Sequence, residues 1–158
     1  MLKVIKAILL IGSLIFIYHF TMTPTANLGI GTSATGGVNL DPFKIMDDYH
    51  QANARYFIIN EFGNVALFMP FGFFLPMTFK KIRAFMLVVF IGCLLSICIE
   101  LAQLKMPTRW TDIDDVILNT TGAALGCIVF KILHLFYKIL EFIWRPRKPK
   151  RQYKHMAK

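Results

Sequence analysis

Glu100, Gln103, Arg109, Asp112, Asp115 and Asn119 lie where two strongly apolar segments of the chain meet, and an earlier apolar segment adds Asn64. Two or three carboxylates beside one guanidinium can hold a divalent cation, share acid–base work, or receive the polar head of a ligand. They can also brace one another. Arg109 can bridge Glu100 and Asp112 while Asn64 and Asn119 bond between helices. An isolated acid at a bilayer centre costs about 2.5–3.5 kcal/mol, so charges this close to membrane-grade sequence must face each other or water. A braced network and a ligand site are compatible, and the residues leave both open. Asn64, Glu100, Gln103, Arg109, Asp112, Asp115 and Asn119 are therefore the candidate ligand-binding set.

No catalytic residue, metal ligand or cofactor motif stands out beside them. His19 is near the end of the first apolar segment, His134 is far along the last one, and His155 is in the tail. His50 is the one histidine positioned to join the cluster. There is no Ser-His or Cys-His arrangement and no glycine-rich phosphate loop. This favours a non-enzymatic protein, with a membrane hydrolase or transferase as the second reading.

Spacing says what must position these residues. Asp112, Asp115, Asn119, Gly122 and Gly126 fall at steps of three, four, three and four. On a helix they form one stripe, acidic and amide at one end and small at the other. The small part lets another helix approach closely, and the polar part faces the same neighbour. Glu100 and Gln103 share a face with Ser96 one turn earlier. Thr111 can cap the last helix, and the acids that follow complement its dipole, which accounts fully for Asp114. Pro70 cannot donate to the carbonyl four residues back and is expected to kink its helix, while Gly72 leaves room for a neighbour. Pro70, Gly72, Gly122 and Gly126 are the candidate structural set.

The elements are helices. The 158 residues are 56% hydrophobic, with a mean hydropathy of +0.54. Four apolar segments can be read: Val4–Met22, Phe57–Phe79, Ile82–Gln103 and Val116–Trp144. About 20 apolar residues cross about 30 Å of hydrocarbon, so each qualifies as a membrane helix. The fourth is longer than required, and its end should run past the headgroups. The fold class expected is an all-α bundle of four transmembrane helices, with residues 1–144 as the membrane domain and 145–158 as a basic tail.

Of 18 Lys and Arg residues, only Lys44, Arg55, Lys105 and Arg109 fall on the side that carries the cluster. The positive-inside rule then places both termini in the cytoplasm. Topology and attraction to anionic lipid explain the basic tail without nucleic acid. Membrane lipids are the expected partners. Residues 28–38, rich in Gly, Ser and Thr, read as a loop, and 44–56 as a short surface helix. The first segment lacks an A-x-A-like cleavage site, so it reads as a retained helix rather than a signal peptide. Cys93, Cys98 and Cys127 lie inside apolar segments and read as small packing residues.

The order Asn39-Leu40-x-Pro42-Phe43, then Asn64-x-x-x-Phe68-x-Pro70-Phe71-Gly72-x-x-Leu75-Pro76, then Glu100-x-x-Gln103, then Arg109-x-x-Asp112-x-x-Asp115-x-x-x-Asn119-x-x-Gly122-x-x-x-Gly126 resembles the VanZ-like family. The resemblance covers residues 39 to 126. It implies a multi-pass protein of the bacterial cytoplasmic membrane, similar to proteins associated with low-level resistance to the glycopeptide teicoplanin. The family brings no established enzymatic mechanism. A lipid-linked cell-wall intermediate or a lipoglycopeptide is the ligand class that the resemblance and the cluster's position jointly suggest.

Overall fold

The computed structural model describes residues 1–23, 37–42, 54–106 and 109–145, with the backbone alone for 54–60. Among the described residues four helices carry the architecture: α1 (Leu2–Met22), α2 (Ala54–Thr78), α3 (Phe85–Gln103) and α4 (Ile113–Ile143). A single 3-10 turn, Lys80–Ile82, joins α2 to α3. It delays the third helix to Phe85, three residues beyond the apolar run's start at Ile82. The expected surface helix over 44–56 falls mostly outside the described residues, and its last three positions belong to the first turn of α2. Most of the expected 28–38 loop, His50, and the tail beyond Arg145 also lie outside them.

The fold is mostly helical, but not purely so. Two short strands, β1 (Gly37–Asn39) and β2 (Trp110–Asp112), pair in parallel, with Asn39 opposite Asp112. Three-residue strands are too short to show a period-two pattern, so an all-α reading of the sequence passes over them.

α2 is the central element. It packs most extensively on α4 and also contacts α1 and α3. Leu67, Phe68, Phe71 and Leu75 of α2 form the core with Leu10, Ile17, Val88, Ile99, Ala123 and Cys127 from the other three helices. The helix runs unbroken through Pro70 and Pro76. Pro70 has no N–H for the carbonyl of Ala66, so one internal hydrogen bond is missing.

Length and composition qualify α1, α3 and α4 as membrane spans. α2 is 25 residues long, and Glu61, Asn64 and two prolines interrupt its apolar run. The outer faces of the others are apolar: Ile8, Ile15, Phe90, Leu101, Leu133 and Phe136 are all exposed. In water that much exposed apolar surface would drive aggregation, whereas in lipid it costs nothing. α4 has 31 residues, about 46 Å of helix. From Lys131 onward it is almost entirely exposed and runs beyond the bundle.

The α2–α4 seam is close enough for backbones to touch. A Cβ on Gly72 would meet the carbonyl of Ala123, one on Gly122 the carbonyl of Val65, and one on Gly126 the carbonyl of Met69. The small half of the stripe on α4 thus lies directly against α2.

Candidate functional site

The polar half of the same stripe sits at the end of the bundle where α1 and α3 end and α4 begins. Asp112 is the N-cap of α4: its side chain accepts from the backbone N–H of Asp114 at 2.9 Å. Thr111, expected as the cap, lies one residue too early. It is in β2 and donates to the carbonyl of Glu100 at 3.3 Å.

Glu100 ties α3 to the start of α4. Its carboxylate accepts the backbone N–H of Asp112 at 3.0 Å. Asp112 in turn accepts from the Asn39 side-chain amide at 2.9 Å, across the strand pair. Asn39 closes its own turn by accepting the N–H of Asp41 at 3.2 Å. Asn64 donates to Asp115 at 2.5 Å, linking α2 to α4. One turn deeper, Asn119 donates to Ser96 at 2.9 Å, linking α4 to α3.

Arg109 does not bridge Glu100 and Asp112, the alternative the sequence offered. Its Nη2 donates to the carbonyls of Phe20 at 3.3 Å and Thr23 at 3.2 Å. Gln103 reaches the same place, donating to the carbonyl of Thr21 at 2.9 Å. Together they cap the C-terminus of α1, where carbonyls lack intrahelical donors and the helix dipole is negative. The one ion pair among the described residues is the exposed Arg145–Glu141 contact at 3.9 Å. Burial pushes the Arg109 guanidinium below its usual range, opposed by the carboxylates of Asp115 and Glu100. It nonetheless stays charged at physiological pH. Asp112, Asp115 and Arg109 all act electrostatically on Glu100, so the charges share one region without being directly paired.

The candidate residues therefore occupy two layers. Asn64, Glu100, Gln103, Arg109, Asp112 and Asp115 form the outer one, and Asn119 lies a turn below. Glu100, Gln103, Arg109 and Asn119 are all buried. Three of these leave a buried atom with no hydrogen-bond partner among the described residues: Gln103 Oε1, Arg109 Nε and Asn119 Oδ1. Buried polar atoms are rarely left so, and the cost is about 1–3 kcal/mol each.

Reading the sequence missed several contributors. Thr21 carried no signal, since it lies in an apolar helix, and Thr111 was read as a helix cap rather than as a bond to α3. Asn39 appeared only within a motif, and its partner is 73 residues away. Asp114, ascribed wholly to helix-dipole effects, is buried. Among the described residues, no three His, Cys, Asp or Glu side chains converge as metal ligands would.

An open apolar groove of about 350 Å³ runs along the α2–α4 seam, lined by Ala66, Met69, Pro70, Phe73, Phe74, Gly126 and Val129. It starts two residues along α2 from Asn64.

The model of the VanZ/LLP1 family matches residues 4–134. Protein VanZ of Enterococcus faecium is 34% identical over 89 residues, 56% of this chain and 49% of that protein. The matched part thus spans about half the length of the curated relative. No solved structure matches the chain. The family model covers α1 from Val4, all of α2 and α3, and α4 as far as His134, and three of those helices are apolar enough to span a bilayer. This chain is a membrane protein and belongs to the VanZ/LLP1 family.

Proposed function

We propose that the protein crosses the bacterial cytoplasmic membrane four times, with both termini in the cytoplasm. In this reading the Glu100 end of the bundle is an outward-facing site for a lipid-linked or amphiphilic ligand. The basic residues support the orientation. The 25 residues of α2 extend about 37 Å, enough for a fourth span.

The observation that carries the ligand reading is the set of unsatisfied buried atoms on Gln103, Arg109 and Asn119. A purely bracing network would use them. A ligand's polar head, or the water it displaces, supplies the missing partners. The apolar groove along the same seam suits the hydrocarbon tail of such a molecule. A polyprenyl-linked wall intermediate has this combination of head and tail, as does teicoplanin with its acyl chain. Expression of the protein should raise tolerance to teicoplanin more than to vancomycin, which lacks the acyl chain. Equal effects on the two drugs would remove the lipid tail from the account.

A second reading is a hydrolase or transferase acting on a lipid-linked phosphate or sugar. It is favoured by the grouping of Glu100, Asp112 and Asp115 around Arg109. It requires turnover of lipid intermediates with Mg²⁺ or Mn²⁺ that Asp115→Asn abolishes.

A further inference from the structure

The opposite end of the bundle gathers cations. Arg83, just before α3, holds this end together. Its Nε donates to the carbonyl of Pro76 at 3.4 Å, and its Nη1 contacts His134 Nε2 at 3.3 Å. Arginine can only donate, so His134 accepts through Nε2 and is the neutral tautomer protonated at Nδ1. The Phe130 ring stacks on His134 at 5.6 Å and lies beneath the Arg83 guanidinium at 5.7 Å. Lys6 of α1 is anchored beside them, because Thr78 donates to its carbonyl at 3.2 Å. Lys6 and Lys138 are near enough to His134 to act on it electrostatically.

None of these cations is within 4.0 Å of a carboxylate among the described residues. Arg83 uses only two of its five N–H donors in the bonds above. Arg83, Lys6 and His134 are half-buried and Lys138 is exposed, so the cluster opens outward at the rim. Cations drawn from three elements and left without acids repel one another, and an anion seated among them would relieve that repulsion.

We propose that Arg83, Lys6 and Lys138 form a binding site for the phosphodiester headgroup of an anionic phospholipid, with His134 and Phe130 fixing the Arg83 fork. Arginine matches a phosphate's paired oxygens, and lysines add point charges. From there the acyl chains would run back toward the middle of α4, along its exposed Ile128 and Leu125. This site is distinct from the Glu100 cluster and stands whether or not that cluster binds a ligand.

The test uses the full chain in nanodiscs of equal phosphatidylglycerol and phosphatidylcholine, released into detergent for native mass spectrometry. The wild type should retain phosphatidylglycerol over phosphatidylcholine. Arg83→Gln and, separately, the exposed Lys138→Gln should each weaken that preference by about fivefold. Arg83→Lys, which keeps charge but loses the fork, should fall between. Lys138→Gln removes no hydrogen bond seen in the fold, so it reports even if Arg83→Gln fails to fold. Millimolar inorganic phosphate should leave the lipid bound. Equal retention of both lipids by the wild type would overturn the site, as would unchanged preference in Lys138→Gln. Displacement by inorganic phosphate would overturn its assignment to a lipid.

Discussion

The Glu100 carboxylate accepts the backbone N–H of Asp112 at 3.0 Å, so the last turn of α3 holds the first residue before α4. The link fixes where α4 starts and so places Asp115 and Asn119 opposite α2 and α3. Glu100→Ala should leave that N–H unpaired and cost about 1–3 kcal/mol, read as a lower thermal midpoint of the purified protein. Glu100→Gln keeps an acceptor and should lose much less.

Asp112 caps α4 and also receives Asn39. Asp112→Ala should destabilise the protein by about 0.5–2 kcal/mol, the range for a lost N-cap. Asp112→Asn keeps the acceptor for both partners and should leave abundance near that of the wild type. Immunoblotting of membranes checks both variants.

At the α2–α4 seam, Gly122→Val should push the helices apart, because even a Cβ there meets the Val65 carbonyl. The expected loss is about 1–3 kcal/mol, typical of overpacking. Gly12, which has open space around its Cβ position, is the control. Gly12→Val should be close to neutral in the same thermal-melt measurement.

Much of this arrangement was legible in the sequence, for reasons that belong to helices. Steps of three and four from Asp112 to Gly126 define one face without knowledge of a partner. The glycines on that face do lie against α2, and Asp115 and Asn119 bond to neighbouring helices. What could not be read was the partner of each side chain. Charge suggested that Arg109 would pair with carboxylates, yet its Nη2 donates to the carbonyls of Phe20 and Thr23. Backbone acceptors at a helix end have no residue type to mark them. The strand pair that sets Asn39 opposite Asp112 was silent for a related reason, since three residues carry no period.

Arg109 and Gln103 together hold the end of α1, so loosening one should free that helix end. Arg109→Gln should increase labelling of a Thr21→Cys reporter by a water-soluble maleimide several-fold. Thr21 is buried in the wild type, so the reporter alone should label slowly. Unchanged labelling would mean that packing by Ile17 and Leu10 suffices to hold α1.

Asn119 and Ser96 are bonded at 2.9 Å within the bundle. A double-mutant cycle with Ser96→Ala and Asn119→Ala should give a coupling of about 0.6 kcal/mol, the usual value between membrane helices. A coupling near zero would place Asn119's contribution elsewhere, on its unpartnered Oδ1.

The central proposition is that the polar end of the bundle receives a ligand as well as bracing helices. Membrane abundance and teicoplanin tolerance, measured together in Asp115→Asn, test it most directly. The amide keeps the acceptor for Asn64 and removes the charge. The account predicts wild-type abundance with lost tolerance. Tolerance that stays intact, or that falls only in step with abundance, would contradict it.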